Sequence, residues 1–368
     1  MNKFIYMDAA ASFLKPQAVL ESEGDFLRNR YANAGRGVCE RAAAVDDMVD
    51  KTRRFVAKFI GADADSIVFT FGATDGFNRI VNILKNTPGM LNKNTVCAVS
   101  DLDHHSFRGP FEMSPAKTIV CPLDKNMDID IKRIPCADIL LITAMSNVLG
   151  HAQNVKKIIS VARKANPNVI AIVDCAQYVV HEKIDVKKWD CDFMCFSGHK
   201  IGADTGVGVM YIKNPKRFSP DKFGGGMVAK IYGKKWILES APICFEAGTL
   251  PITQIAGLMP AIDSLIDKRP DLDLIKYMYD ELDYLKQIKI LSKRDAAILS
   301  FVIDGMHPLD VGTILGVNNI CVRVGNMCAS WIHKYMSVSG CVRLSVGPWN
   351  TKSDARAVIK AIKKIVEK

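Results

Sequence analysis

A lysine that follows a strand-like run is the first residue of this chain to suggest chemistry. The tetrapeptide Ser197-Gly198-His199-Lys200 comes directly after the apolar residues 193–196. Upstream, Asp174 closes the apolar run 169–173, and Gln177 follows one short turn later. Ligands of open α/β sheets bind at the carboxyl ends of the strands, so these side chains are expected to meet there. Pyridoxal phosphate needs such a set: an amine for its aldehyde, a carboxylate for its ring nitrogen and a donor for its phenolic oxygen.

A glycine-containing turn offers a place for the phosphate of that cofactor. Residues 71–76 read Phe-Gly-Ala-Thr-Asp-Gly between a predicted strand and the helix that the turn begins. Backbone N–H groups at this helix N-terminus, at Ala73 and Thr74, together with the Thr74 hydroxyl, would bind an anion. We expect Ser197 and His199 to complete the anion site.

Each of these features has an ordinary explanation when it is taken alone. Lys200 by itself is typical of a surface lysine, and Asp174 by itself could cap a helix. The turn at 72–76 is an ordinary connection between a strand and a helix. It is the order and spacing of the whole set that predicts a pyridoxal phosphate site.

The apolar periodicity predicts an α/β fold that would position these residues. Short apolar runs that predict strands lie at 67–70, 96–99, 139–143, 169–173, 193–196 and 207–212. Spacings of three and four residues predict helices over 45–59 and 155–162. Strands that alternate with helices favour a mostly parallel sheet covered on both faces.

The pattern changes after about residue 255. A helical stretch is predicted from 255 to about 288, strands at 299–303, 320–324 and 341–346, and a final helix that includes 358–366. We therefore predict a large domain over 16–255 and a smaller α+β domain formed by 1–15 and 256–368.

Composition narrows the classes of protein that the chain could belong to. Of its 368 residues, 49% are hydrophobic and 24% charged, and no run approaches the roughly 18–20 apolar residues of a membrane span. The N-terminus meets Asp8 too early for a secretory signal, so a cytoplasmic location is predicted. The eleven cysteines include no C-x-x-C pair, which argues against a zinc ribbon and against a disulfide framework, and no metal site is predicted. The net charge of +10 predicts a basic surface, and nucleic-acid binding is unlikely because the basic runs lack interleaved aromatics.

The chain resembles, nearly from end to end, the class V group of fold-type I pyridoxal phosphate enzymes. Within that group it is similar to the cysteine desulfurases of the type II, selenocysteine-lyase-like branch. The residues that carry the resemblance are 7–11, 33–37, 69–78, 103–106, 146–150, 174–177, 196–200, 224–226, 245–249, 322–329 and 342–345.

The resemblance implies roles for further residues. His104 would stack on the cofactor ring and help to move protons, whereas its neighbour His105 is assigned no role. Asn147 would lie beside the substrate amino acid. Thr249 would reach the cofactor phosphate of a neighbouring subunit, which implies a homodimer.

Cys328 is the predicted nucleophile for sulfur. It lies in the pattern R-x-G-x-x-C-A formed by residues 323–329, and Arg343 follows on a later predicted strand. Arg343 can bind a substrate α-carboxylate through two hydrogen bonds, and Arg323 would favour the Cys328 thiolate. The expected reaction converts L-cysteine to L-alanine and leaves a persulfide on Cys328, which passes to an acceptor protein. L-selenocysteine could enter the same site.

The chain departs from this branch at several positions. The branch commonly has the motif H-R-G-x-H near residue 36, and Gly35 and Cys39 replace its two histidines here. Asn326 and Met327 occupy two further positions at which many relatives have histidine. Cys175 occupies a position where glycine or alanine is common, and we interpret it as a packing residue. These departures leave proton delivery and the identity of the acceptor open.

Two other functions remain compatible with the sequence. The chain could catalyse a different class V reaction, as an aminotransferase, a selenocysteine lyase or an epimerase. Cys328 would then take no part in the chemistry. It could also be a non-catalytic scaffold that binds pyridoxal phosphate and docks partners on its basic surface.

Overall fold

A computed structural model describes residues 4–35 and 37–367. Arg36, which belongs to the motif at 33–37, lies outside the described residues, as do residues 1–3 and 368 of the predicted small domain. Within the described ranges, the helices are α1 (Gln17–Asp25), α2 (Glu40–Ile60), α3 (Ala73–Asn86), α4 (His105–Glu112), α5 (Val155–Ala165), α6 (Tyr178–His181), α7 (Val186–Trp189), α8 (Ile252–Asp267), α9 (Asp273–Asp283), α10 (Pro308–Val317), α11 (Ser330–Tyr335) and α12 (Lys352–Val366).

The strands of the same residues make four sheets. They are β1 (Ile5–Tyr6), β2 (Ile67–Thr70), β3 (Val96–Ser100), β4 (Lys117–Cys121), β5 (Ile139–Thr143), β6 (Ile170–Asp174), β7 (Phe193–Ser197), β8 (Gly208–Ile212), β9 (Val228–Tyr232), β10 (Lys235–Leu238), β11 (Ile288–Ile290), β12 (Leu299–Ile303), β13 (Ile320–Cys321), β14 (Arg323–Gly325) and β15 (Cys341–Leu344).

The largest sheet has seven strands in the order β2-β8-β7-β6-β5-β3-β4. The strands from β7 to β4 run parallel, and β8 runs antiparallel to both β7 and β2. Its central strands β5, β6 and β7 are buried along their whole length, as expected for apolar runs that are covered on both faces. The predicted α/β class with a mostly parallel sheet is confirmed.

Helices cover both faces of this sheet. On one face, buried side chains of α2, α5 and α8 form a single apolar cluster with the sheet, represented by Val49, Ile158 and Ile255. On the other face, α3 and α4 pack through residues such as Ile80 and Phe107. The two layers hold the carboxyl ends of β5, β6 and β7 in register, since Thr143 lies opposite Asp174 and Asp174 lies opposite Cys195.

A second, antiparallel sheet has the order β11-β12-β15-β14 and packs under α9, α10 and α12. The predicted helical stretch from 255 to 288 is wrong as one element, because the chain leaves the helix between α8 and α9, where Pro270 lies. The predicted strand at 320–324 is likewise divided into β13 and β14. The proposed division of the chain at residue 255 stays a prediction.

The segment from Ile5 to Phe13 runs between the two sheets, and we call it the N-terminal strap. Its β1 pairs in parallel with β13, and Asp8 forms a parallel bridge with Ser345. The far end of the strap is held by a hydrogen bond from the Phe13 N–H to the carbonyl of His199, 3.0 Å long. The strap therefore contacts both the lysine turn of the large sheet and the edge of the small one.

None of the helices in residues 4–35 and 37–367 combines the length and the apolar character needed to cross a bilayer.

A close backbone approach beside β2 predicts a sensitive position. A Cβ atom added to Gly208 would lie 2.5 Å from the Cα of Gly72, at the turn that begins α3. We expect Gly208→Ala to lower the free energy of unfolding by about 1–3 kcal/mol through overpacking. Chemical denaturation measures this.

The matched control is Gly316→Ala on α10, where an added Cβ meets no atom of the described residues within 4 Å. Its stability should equal or slightly exceed that of the wild type, since alanine is the better helix former. Unchanged stability of Gly208→Ala would contradict the close approach.

Candidate active site

One cavity of about 210 Å³ opens at the carboxyl ends of the large sheet. It is lined by Ala73, Thr74, His104, Ser106, Thr143, Met145, Asn147, Asp174, Ala176, Gln177, Ser197, His199 and Lys200. Nine of the predicted site residues therefore meet in a single space. Four of the lining residues, Ser106, Thr143, Met145 and Ala176, were not predicted to take part.

Lys200 ends the short helical turn Gly198–Lys200, which directly follows β7. Its amine donates a hydrogen bond to the carbonyl oxygen of Ala10 in the N-terminal strap. Burial, and after it the positive charge of Arg343, lower the pKa of the amine to about 7, although the nearby carboxylates of Asp174 and Asp8 oppose the shift. A substantial fraction of the amine is therefore neutral, and so nucleophilic, near neutral pH.

Asp174 is the last residue of β6 and is only 6% exposed. Its Oδ1 accepts a hydrogen bond of 2.8 Å from the N–H of Ala176. Burial raises the pKa of this carboxyl to about 6, and the nearby Lys200 works in the opposite direction. A cationic group in the cavity would be the partner that such a buried carboxylate requires.

Gln177 is held by a hydrogen bond of 2.7 Å from its Nε2 to the carbonyl of Ala10. The second N–H of that amide is available to a ligand, since a primary amide has two donors. The Oε1 atom is buried and has no partner among the described residues. Gln177 and Lys200 thus share one backbone carbonyl, a contact that sequence reasoning did not foresee.

The opposite end of the cavity is built by the N-terminus of α3. Gly72 precedes the helix with φ of 138°, a conformation that suits glycine. The N–H of Ala73 donates to the Oγ of Ser197 over 2.8 Å, so the end of β7 is tied to this helix. The helix N-terminus, Thr74 and His199 together make a polar pocket suited to a phosphate.

His104 caps α4 and lines the same cavity. Its Nδ1 accepts the N–H of Ser106 at 3.2 Å and lies 2.8 Å from the Ser106 hydroxyl. Because a backbone N–H can only donate, the proton of the neutral ring is assigned to Nε2. Burial lowers the pKa of His104 to about 4, so the ring is neutral under physiological conditions.

These residues fit pyridoxal phosphate. Lys200 would bind its aldehyde, Asp174 its ring nitrogen, Gln177 its phenolic oxygen and the start of α3 its phosphate. The buried Oε1 of Gln177 and Oδ1 of Asn147, which lack partners among the described residues, are what a site built around a polar ligand is expected to contain.

Cys328 is exposed and lies on a tightly held loop. Met327 and Cys328 both adopt the left-handed conformation, with φ of 51° and 54°. The N–H of Cys328 donates to the Oδ1 of Asn326 over 3.2 Å, and the Nδ2 of Asn147 donates to the Met327 carbonyl over 2.8 Å. Asn326, where relatives have histidine, therefore shapes the turn that presents the thiol.

His105, which the sequence left without a role, anchors this loop. Its N–H donates to the carbonyl of Cys328 over 2.8 Å. Its Nε2 accepts the N–H of Ser330 at 3.1 Å and lies 3.0 Å from the Ser330 hydroxyl. The sequence signals for this residue were its adjacency to His104 and its place in the motif at 103–106.

Arg343 connects the cavity to the N-terminal strap. Its side chain is 3% exposed; Nη1 donates to the Asn147 carbonyl over 3.0 Å and Nη2 to the Oδ1 of Asp8 over 3.1 Å. The Nε atom is buried and has no partner within the described part of the chain. Arg323 pairs with the other oxygen of Asp8 at 2.6 Å. Its predicted influence on the Cys328 thiol stays a prediction.

Thr249 lies elsewhere, in a second cavity of about 640 Å³. That cavity also contains Gly35, Arg53 and Glu246. The structure therefore does not bring Thr249 together with Lys200 in one chain, and its predicted contact would need a second subunit. Cys175 is fully buried, and burial raises the pKa of its thiol well above the ordinary value, as suits a packing residue.

Comparisons with known proteins identify the family of this chain. The family model for aminotransferase class-V matches residues 5–358. A probable cysteine desulfurase of Halalkalibacterium halodurans is 32% identical over 387 residues, which cover 100% of this chain and 94% of that protein. The apo structure of a cysteine desulfurase from Thermococcus onnurineus NA1 has a TM-score of 0.92 at 28% identity, covering 100% of this chain and 95% of that one.

A further solved structure, the cysteine desulfurase CsdA of Escherichia coli in its S-sulfonic acid form, has a TM-score of 0.88 at 30% identity. It covers 99% of this chain and 95% of that one. The expected resemblance to class V enzymes and to cysteine desulfurases is confirmed. Pyridoxal phosphate is the cofactor of these enzymes. The chain belongs to the class-V aminotransferase family.

Proposed function

We propose that this protein is a pyridoxal phosphate-dependent cysteine desulfurase that converts L-cysteine to L-alanine and keeps the sulfur on Cys328 as a persulfide. The observation that carries the proposal is the position of Asn147. Its side chain holds the loop of Cys328, its carbonyl holds Arg343, and it lines the cavity that contains Lys200. A lysine, a carboxylate-binding arginine and an exposed thiol thus converge on one residue.

We assign substrate binding to Arg343. Two of its five N–H hydrogens are used by Asn147 and Asp8, and the unpartnered Nε is among those that remain. A guanidinium with free donors binds a carboxylate through charge-assisted hydrogen bonds. The α-carboxylate of L-cysteine, or of L-selenocysteine, is the group that we assign to it.

The cofactor, when bound, supplies a ring that stabilises negative charge at the substrate's Cα and Cβ. Lys200 takes the Cα proton with its neutral amine, and the low pKa of that amine suits the task. Asp174 keeps the ring nitrogen protonated by remaining ionised beside it. His104, neutral with its proton on Nε2, packs on the ring.

Sulfur is removed by Cys328. Its thiolate attacks the substrate Sγ, so that an S–S bond forms as the Cβ–Sγ bond breaks. The electron pair of the broken bond remains with Cβ, which takes up a proton to become the methyl group of L-alanine. The persulfide then lies on an exposed loop held by His105, Asn147 and Asn326, so an acceptor protein has to bring its own thiol to the loop. We propose that this sulfur serves iron–sulfur cluster, thio-cofactor or thio-tRNA synthesis.

A homodimer is the proposed working form. The hairpin of β9 and β10 exposes apolar side chains, with Ile231 at 56%, Tyr232 at 59% and Trp236 at 47%. Such exposure on a single chain is typical of a protein interface. The cavity at Thr249 would then face the partner's cofactor. The eleven free thiols support a cytoplasmic location, because disulfides are rare in reducing compartments.

Replacement of Cys328 tests the desulfurase reaction directly. With Cys328→Ala, formation of L-alanine and sulfide from L-cysteine in the presence of a thiol reductant should fall to background, whereas the visible absorbance of the bound cofactor should persist. Cys136→Ala, which removes another exposed thiol, is the control and should keep wild-type rates. Unchanged sulfide release by Cys328→Ala would favour a different class V reaction. A cofactor spectrum that no amino acid changes would favour the non-catalytic scaffold.

The attachment point of the cofactor is a second test. Borohydride reduction of the purified holoenzyme should fix the cofactor covalently to Lys200, and peptide mapping should find the label on the peptide that contains Ser197-Gly198-His199-Lys200. A label on another lysine would contradict the assignment.

The low pKa of Lys200 predicts a pH dependence for cofactor uptake. The neutral amine is the nucleophile, so the uptake rate of the apoenzyme should rise about tenfold per pH unit below pH 7 and become constant above it. Stopped-flow absorbance measures this rate. A rate that keeps rising towards pH 10 would mean that the amine has the pKa of an ordinary lysine.

A further inference from the structure

We propose that Asp8 is a positioning residue for the substrate carboxylate, because it holds the guanidinium groups of Arg343 and Arg323 together. This inference rests on the proposed function, in which Arg343 binds an α-carboxylate. Asp8 lies within the N-terminal motif at 7–11, but its sequence context predicts no role for its side chain.

Asp8 uses both carboxylate oxygens on arginine. Oδ1 accepts a hydrogen bond from the Nη2 of Arg343 at 3.1 Å, and Oδ2 forms an ion pair with the Nη2 of Arg323 at 2.6 Å. The side chain of Asp8 is 7% exposed and that of Arg343 is 3% exposed, whereas that of Arg323 is 51% exposed. A buried and a half-exposed cation therefore share one buried anion.

The backbone around Asp8 is held on both sides, so its carboxylate is not free to follow a moving arginine. Met7 accepts the N–H of Ser345 at 2.9 Å, and the N–H of Ala10 donates to the Ser345 hydroxyl over 2.9 Å. The N–H of Met7 also donates a hydrogen bond to the carbonyl of Cys321 over 2.9 Å. Asp8 is thus fixed relative to β15, the strand that carries Arg343.

Strand register explains why a shared anion is needed. Arg323 on β14 and Arg343 on β15 are directly opposite Cα partners in the antiparallel pair. Like charges at opposite positions of neighbouring strands repel each other. Removing the partner of a buried guanidinium is also costly, because the charge is left without compensation. The carboxylate of Asp8 reduces the repulsion between the two arginines and also compensates the charge of the buried Arg343.

The hydrogen-bond pattern that Asp8 completes leaves a free donor for a ligand. With Nη1 held by Asn147 and Nη2 held by Asp8, the rotation of the guanidinium plane is determined. The buried Nε has no partner among the described residues, so this fixed orientation preserves an unused donor. One carboxylate facing two guanidinium groups also leaves one net positive charge, which matches a single α-carboxylate.

The test compares two ligands that differ only at the carboxylate. Binding of L-alanine and of L-alaninamide to the holoenzyme is measured from the change in cofactor absorbance. We expect Asp8→Asn to weaken L-alanine binding at least about tenfold, the loss of one charge-assisted hydrogen bond, and to change L-alaninamide binding less than about threefold. KM for L-cysteine should rise by the same factor as the L-alanine dissociation constant, while kcat at saturation falls less.

Asp310→Asn, the same substitution on the exposed start of α10, is the control and should leave the binding of both ligands unchanged. If Asp8→Asn does not fold, Ser345→Ala is the alternative variant, because it loosens the strap without changing any charge. It should weaken the binding of L-alanine more than that of L-alaninamide, and by a smaller factor than Asp8→Asn. Equal weakening of both ligands would overturn the proposal in favour of a general structural role. A wild-type enzyme with no preference for L-alanine over its amide would overturn it as well.

These measurements separate the two proposals. Ligand binding needs no turnover, so a holoenzyme that binds L-alanine selectively through Asp8 but releases no sulfur from L-cysteine would refute the desulfurase and leave the role of Asp8 intact. A desulfurase whose carboxylate selectivity does not depend on Asp8 would refute only the positioning role.

Discussion

Burial of the Lys200 amine at the carboxyl edge of the large sheet is the constraint on which the rest of the site depends. A buried amine loses hydration, so its charged form is disfavoured and its pKa falls to about 7. The same edge buries Asp174 and raises its pKa to about 6. A buried amine and a buried carboxyl at the same edge are costly for the apoprotein. Pyridoxal phosphate would provide a partner for each group, its ring nitrogen for Asp174 and its aldehyde for Lys200. The N-terminal strap adds the carbonyl of Ala10, which accepts hydrogen bonds from both Lys200 and Gln177.

The second requirement is that a thiol from the small sheet faces a cavity in the large one. Asn147 meets it through two contacts, to the Met327 carbonyl and to Arg343. His105 adds a backbone hydrogen bond to Cys328. These contacts cross between the two sheets, so the distance between the thiol and the cavity depends on packing. Positive φ at Met327 and Cys328 shows that the loop accepts backbone strain to present the thiol.

Much of the large sheet was predictable, because buried parallel strands are short continuous apolar runs. The strands at 67–70 and 139–143 match their predicted bounds, and others differ by one residue. The sequence missed β4 and the hairpin of β9 and β10. No apolar run within these strands exceeds three residues, and Cys121 is the one buried residue among them, so they lack the pattern of a buried strand. The break between α8 and α9 was missed because both helices bury apolar residues, although against different clusters.

The sequence by itself determined the identity of the groups that line the cavity. Lys200, Asp174, Gln177 and the turn at Gly72 each follow a strand of one sheet, and parallel order brings strand ends together. Only the tertiary structure decided the parts that come from distant segments: Asp8 between two arginines, Ala10 next to Lys200, and His105 next to Cys328. Lys200 and Ala10 are 190 positions apart in the chain, and Arg343 and Asp8 are 335 positions apart. Local periodicity holds no information about such pairs, because they form only when the strap and the two sheets pack together.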